Sequence, residues 1–441
     1  MTQAPAALAF VPPRPARYEW KRLVLLVGLV VGMAACGIAV IVWLGLNIGP
    51  KALGVGALGA ILPVPVLVSC FLWLDRYEPE PIKYLAICLG WGASVATGVA
   101  LFLNEVTAWA LDRQHLPATL GAVVGAPLFE ESMKALGPFL LFLLRRRAFS
   151  GVIDGIVYCG LSATGFAMVE NILYLGRNGF ADGSGRGGVA GGVAGLVGVF
   201  FVRIIFSGFA HPLFTAMTGI GLGLAARSGV RRIRILAPIA GWLTAMILHG
   251  SWNLMSVLAD QFKEPLILLY GYFSVMMPIF LGMVGFALWL RSWEGRLTQR
   301  ILPEYVHAGW LTPPEVAALA TMGRRQSART WARRVAGEQG AEAMRGFQFA
   351  ATRLALLRDG LRRGLAPRPD EITYAVAEEA TLLEAISSYR TVFVGRDPQT
   401  PPAYWDGRRY HVTFPDGTVR TLDPPQQPVV PVPVVLVPYY R

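Results

Sequence analysis

The sequence predicts an all-α polytopic membrane protein: an eight-helix bundle followed by a small, mainly helical cytosolic C-terminal domain. Three observations lead there. Of the 441 residues 54% are hydrophobic and only 15% charged, against roughly 25% charged for soluble domains. The apolar residues gather in runs of a length that crosses a bilayer, which takes about 20 residues, and these runs stop near Leu290. The formal charge of +12 is carried by Lys and Arg set between the runs, a pattern of membrane orientation and not of nucleic-acid binding. An ordinary soluble enzyme is excluded, and the lipid bilayer is the first partner.

Taken in order, residues 1–22 are a basic cytosolic tail and 23–291 the membrane domain. Its eight expected spans are 23–46, 52–74, 82–111, 120–144, 152–175, 193–226, 235–259 and 266–290. The third and sixth exceed what a bilayer needs and should tilt or kink. Pro63, Pro65, Pro127, Pro138, Pro212 and Pro278 fall inside spans. Each removes a helical hydrogen bond, as suits a kinked, cavity-lining bundle. Cys36, Cys70, Cys88 and Cys159 lie in apolar runs without C-x-x-C spacing, so packing is their expected role.

Orientation follows from alternate loops. Arg14, Arg17, Lys21, Arg22, Arg76, Lys83, Arg145, Arg146, Arg147, Arg227, Arg231, Arg232, Arg234, Arg291, Arg296 and Arg300 lie on one side; Lys51, Arg113, Arg177, Arg186 and Lys263 lie on the other. That bias places both termini in the cytoplasm of a cytoplasmic-membrane protein. The Gly-rich segment 176–192 is expected to be a flexible loop on the opposite side. Beyond the bundle, 292–395 carries amphipathic stretches at 313–322, 327–361 and 370–389, a helical domain. In 396–441 a hairpin signal around Pro415-Asp416-Gly417 precedes a Pro/Val-rich tail of polyproline or disordered character.

A charge near the bilayer centre costs roughly 2.5 to 3.5 kcal/mol on insertion scales, yet the spans hold many. Glu130, Glu131 and Lys134 share the fourth, Asp154 and Glu170 the fifth, Arg203 and His211 the sixth, His249 and Asn253 the seventh. Glu130 and Lys134 are i, i+4 neighbours that can pair, whereas Glu131 points about 100° away around the helix. Asp154, Tyr158, Ser162, Phe166, Glu170 and Tyr174 recur every four residues, as do Arg203, Ser207, His211 and Thr215. Such stripes must face one another or water. A rise of about 1.5 Å per residue puts Glu130 and His249 each about 15 Å from the outer end of its span, at one depth. Asp154 and Arg203 are read as structural or interfacial.

These residues are also similar to a known family. Glu130-Glu131-x-x-Lys134, Phe166-x-x-x-Glu170-Asn171, His211-Pro212-Leu213-Phe214-Thr215 and His249-x-x-Trp252-Asn253, in that order, resemble the PrsW family of intramembrane proteases. Asp75-Arg76-Tyr77-Glu78-Pro79-Glu80-Pro81 does so too. The resemblance implies an intramembrane endopeptidase acting on single-span membrane proteins, with regulated proteolysis of an anti-sigma factor as the family's best-known role. The related CAAX-processing proteases use a glutamate and a histidine to activate water and a second histidine with an asparagine to stabilise the oxyanion. Carried over, Glu130 is the general base, Glu131 its neighbour, and His249 with Asn253 the oxyanion donors. Glu170 stands where that relative has a histidine, and His211 is the candidate for the water-activating one.

The residues themselves leave the cofactor open. A desolvated glutamate can take a proton from water, and a histidine and asparagine one turn apart can meet an oxyanion. Equally, Glu130 or Glu131 with Glu170, His211 and His249 can form a carboxylate–imidazole zinc site. Metal-free catalysis is preferred. Two other classes compete: a proton-coupled transporter, which should show the internal repeat that this sequence lacks by eye, and a non-enzymatic sensor, which would tolerate loss of Glu130.

Overall fold

The computed structural model describes residues 17–146, 149–365, 369–393, 403–413 and 418–423. The first helix, Arg17–Ile48, ends at Gly49, whose φ of 82° reverses the chain into Pro50–Ile61 and, past a bend at Pro63, Val64–Leu74. Positive φ is cheap only for glycine, so this turn falls where the residue allows it. After the Asp75–Pro81 loop come Ile82–Trp91 and Thr97–Arg113, joined by one π-helical turn. Then follow Ala126–Leu144, Val152–Leu173, Ala210–Ala226, Arg231–Gln261 and Met277–Ile301.

Six helical stretches among the described residues are long and apolar enough to cross a membrane. The difference from eight expected spans has two physical sources. The 120–144 stretch carries Glu130, Glu131 and Lys134, too polar to stand as a span on hydropathy alone. The fifth and sixth expected spans run together as one helical stretch, Val152–Ala226.

As a straight helix those 75 residues would reach roughly 110 Å, so the chain has to double back. It does so at Gly187 and Gly188, where Gly188 takes a φ of 60°. The two arms then lie backbone against backbone: a Cβ on Gly183 would sit 2.4 Å from the Gly191 carbonyl oxygen, and one on Gly195 2.3 Å from that of Gly179. Segment 176–192 is therefore a helical hairpin and not the flexible loop expected. Its glycines are a packing surface, with no side chain to hold the arms apart. A second break at 207–209 precedes Ala210–Ala226 and sets His211 in that helix's first turn.

Val152–Leu173 is the axis of the bundle. Nearly every residue on it is buried, and it packs on Ile82–Trp91, Ala210–Ala226, Pro50–Ile61, Val64–Leu74 and Ala126–Leu144. A helix buried all round is apolar all round, broken here only by its polar stripe. Gly155 and Gly219 make one of its close crossings: a Cβ on either would come within 2.2 Å of the other's carbonyl oxygen.

The C-terminal region is helical, as expected: Pro303–His307, Pro313–Ala318, Met322–Arg362 and Pro369–Phe393 surround a core that includes Trp331, Met344, Phe347, Leu354, Ile386 and Phe393. Gly337, with φ 63°, breaks the long helix. The last membrane helix runs on into this core, contributing Leu297 and Ile301, while its Leu290 belongs to the membrane core. The expected hairpin pairs Tyr410–Thr413 with Val419–Leu422 in antiparallel register, Thr413 opposite Val419, and Ala403–Trp405 adds an unexpected third strand. The expected turn at 415–417 and the Pro/Val-rich tail lie outside the described residues.

Candidate active site

Within Ala126–Leu144, residues three and four apart share a face, so Lys134 can reach both glutamates. Its Nζ donates to Glu130 Oε2 at 3.2 Å and to Glu131 Oε1 at 2.9 Å, and lies 4.1 Å over the Phe166 ring. Glu131 is fully buried. The Thr215 hydroxyl donates to its Oε2 at 2.8 Å, and His249 Nδ1 lies 2.9 Å from its Oε1. Thus Glu131 does not point away from the pair, as the helical angle suggested. It is the carboxylate most completely neutralised.

Glu130 is held more loosely. Besides Lys134 it accepts one long bond, 3.4 Å, from Asn104 Nδ2, and it lines a cavity of about 490 Å³ within the bundle. Glu170, His211, His249 and Asn253 line the same cavity. Five of the six residues singled out in the sequence therefore surround one space, and Glu131 stands behind it.

Across the cavity, His249 Nε2 lies 3.8 Å from Glu130 Oε2, beyond a direct hydrogen bond and close enough for both to contact one small molecule. One turn further on, Asn253 Nδ2 donates to the Ala122 carbonyl at 2.8 Å. An amide nitrogen has a second hydrogen to give.

His211 is committed at both nitrogens. Lys134 Nζ lies 3.0 Å from Nδ1, and Glu170 Oε2 lies 2.7 Å from Nε2. An ammonium only donates and a carboxylate only accepts, which assigns the neutral tautomer with its hydrogen on Nε2. Glu170 also pairs with Arg203, whose Nε donates to Asn171 Oδ1 at 3.2 Å and whose guanidinium lies 4.0 Å over the Tyr174 ring. With neutral histidines the three carboxylates face two cations, a formal balance of −3 + 2 = −1. Lys134 and Thr215 answer Glu131 and Arg203 answers Glu170, so the surplus charge rests on Glu130.

Glu130, His211 and His249 can each offer one ligand atom, all within 4.8 Å of one another. Two imidazoles and a carboxylate are the donor types of a catalytic zinc site with an open position, so the residues fit a metal by kind. To ligate one, His211 would first have to release Lys134 or Glu170. As the hydrogen bonds stand, the Lys134 ammonium is the cation at the centre of the cluster.

Arg203 belongs to this site, although the sequence reading made it structural. Asn104 and Thr215 belong here as well. Thr215 lies on the His211 stripe, a signal that was present, whereas Asn104 had none. Asp154 lies apart. Its carboxylate accepts from the backbone N–H groups of Ser150 and Gly151, and it precedes Glu170 by 16 residues, roughly 24 Å along the helix.

Around Asp154 gather the carboxylates of the Asp75–Pro81 loop. Asp75 accepts from the Glu80 backbone N–H at 2.7 Å, and the Tyr158 hydroxyl donates to Glu80 at 2.6 Å. Burial, reinforced by the Asp154 charge, pushes Asp75 up to about 8, Glu78 to about 7 and Glu80 to about 10. Arg353 of the C-terminal domain reaches Glu78 at 3.8 Å. The loop motif thus joins the two domains and takes no part in the cavity.

Comparison with known proteins agrees with the motifs. Residues 80–283 match the model of the PrsW family intramembrane metalloproteases. Similar curated proteins include Protease PrsW of Clostridioides difficile (strain 630), 26% identical over 219 residues covering 49% of this chain and 85% of the relative. The Protease PrsW of Geobacillus kaustophilus (strain HTA426) is 27% identical over 229 residues, 52% of this chain and 85% of the relative. That of Bacillus subtilis (strain 168) is 25% identical over 195 residues, 44% and 78%. No solved structure matches. Residues 80–283 are thus similar to the PrsW family of intramembrane metalloproteases, and the C-terminal region lies beyond the matched segment.

Proposed function

We propose that the chain is a PrsW-family endopeptidase that hydrolyses a peptide bond in a single-span membrane protein, an anti-sigma factor being one candidate, with Glu130 as the general base. The observation that carries the reading is the 3.8 Å gap between Glu130 and His249 at a cavity buried among membrane helices. A water there contacts both groups. Glu130 takes its proton, the oxygen attacks the scissile carbonyl carbon, and the C–N bond breaks as Glu130 returns the proton to the leaving nitrogen. The oxyanion meets the second N–H of Asn253 and, when His249 is an imidazolium, its Nε2–H. Glu131 holds His249 from the other side of the ring, while Lys134, Arg203 and Glu170 hold His211 and the glutamate pair in place.

A second reading is favoured by the Glu130–His211–His249 donor set and by the metalloprotease description of the matching family. Bound there, a zinc ion would supply a more acidic water and a polarised carbonyl. The metal-free reading rests on the engagement of both His211 nitrogens. Metal analysis of the purified protein decides between them: stoichiometric zinc that is lost in His211→Ala and His249→Ala would establish the second reading, whereas zinc far below stoichiometry in an active preparation supports the first. The activity itself is tested by comparing membrane proteomes of cells with and without the active protein. Truncated single-span proteins confined to the former are expected, and identical proteomes would favour a sensor or a transporter. The loop charges support cytoplasmic termini in the cytoplasmic membrane.

A further inference from the structure

A second cavity, about 920 Å³, opens where the Asp75–Pro81 loop meets the C-terminal domain. Arg76 enters from the loop, directly after the membrane helix that ends at Leu74, and Arg325, Arg329 and Arg345 enter from the long helix of the C-terminal domain. Glu342 is the one carboxylate in this wall. Four cations against one anion is an excess that nothing else lining the cavity answers.

Two of the arginines make the excess specific. Arg325 is buried, and its guanidinium donates only to neutral acceptors: the carbonyls of Leu319 at 2.9 Å and Tyr77 at 3.2 Å, and the Thr352 hydroxyl at 2.6 Å. Buried charges are ordinarily paired. Arg329 Nε is buried with no hydrogen-bond partner among the described residues, a donor of the kind that costs about 1 to 3 kcal/mol to leave unmet. Burial, then the charges of Arg76 and Arg345, push Arg329 below its usual range. An anion would relieve both.

We infer that this cavity binds the phosphate group of an anionic ligand, held by Arg329 and Arg345 with Arg76 and Arg325 behind them. Guanidinium groups present paired N–H donors that match phosphate oxygens. The volume suits a headgroup-sized ligand. Two sources share this chemistry: the headgroup of an anionic phospholipid at the membrane surface, which the position just past Leu74 favours, and a soluble phosphate compound. Phe349 and Tyr389, exposed aromatics in the same wall, are of the type found at membrane–water boundaries.

The test uses full-length protein in a neutral detergent, with melting temperature read against short-chain phosphatidylglycerol, short-chain phosphatidylcholine and pyrophosphate. Phosphatidylglycerol should raise it and phosphatidylcholine should not. A rise with phosphatidylglycerol alone identifies a lipid headgroup, and an equal rise with pyrophosphate identifies a soluble phosphate. Arg329→Gln and Arg345→Gln should each weaken the half-saturating concentration about tenfold or more. Glu342→Gln should tighten it by about two- to fivefold, a gain that an unfolded variant cannot mimic. Arg358→Gln, which removes a charge paired with Glu304 and Glu379 away from the cavity, should leave it unchanged. No rise with either anion, or responses equal in the Arg329, Arg345 and Arg358 variants, would overturn the inference.

Discussion

Lys134 shows how much one side chain can organise. Fully buried, it holds Glu130, Glu131 and His211 together. Replacing it with methionine should leave two carboxylates and an imidazole without their shared donor. Breaking a buried pair on one side costs about 3 to 5 kcal/mol, so Lys134→Met should lower the melting temperature sharply, and a melting curve matching wild type would remove Lys134 from this role. The i, i+4 relation of Glu130 and Lys134 was readable because it is local to one helix. The Thr215–Glu131 and Arg203–Glu170 contacts were not, because spacing along a helix says which residues share a face and nothing about the helix they meet.

The central helix, Val152–Leu173, illustrates the same limit one level up. Its polar stripe was visible as a four-residue period, yet it serves two places: Glu170 and Phe166 meet the cavity, while Asp154 and Tyr158 meet the loop carboxylates. Those carboxyls carry a pH dependence whose sign is set by burial. Unfolded, they titrate near 4; folded, Glu78 titrates at about 7, Asp75 at about 8 and Glu80 at about 10. The folded state therefore binds more protons between these values. Their contribution is full below about pH 4 and is lost as pH rises through about 7, then 8, then 10. The melting temperature should fall from pH 6 to pH 9, and Asp75→Asn should flatten the fall. A melting temperature that climbs over that range would contradict the burial of these groups as acids. The glycine hairpin at 179–195 was misread for a different reason: glycine composition is shared by flexible linkers and by helices in backbone contact, and only the partner arm tells them apart.

Over the whole molecule, apolar run length and charge asymmetry were enough to read a helical membrane domain and a separate polar region after it. They could not show that the last membrane helix runs on into the C-terminal core through Leu297 and Ile301, since its pattern changes from lipid-facing to amphipathic without a break. The loop charges predict that a cysteine placed at Gly187 is labelled by an impermeant reagent from outside intact cells and that one placed at Gly337 is not. The reverse pattern would invert the topology and, with it, the face from which substrate approaches.

The central claim is that Glu130, which lines the cavity 3.8 Å from His249, is the base for peptide hydrolysis. Its most direct test is cleavage of a single-span substrate by purified protein in lipid vesicles, wild type beside Glu130→Gln and Asn253→Ala, with melting temperatures recorded for all three. Cleavage should vanish in Glu130→Gln while the protein still melts cooperatively as a folded protein, and fall on the order of 100-fold in Asn253→Ala, the loss typical of one oxyanion donor. Full cleavage by a folded Glu130→Gln protein would contradict the account.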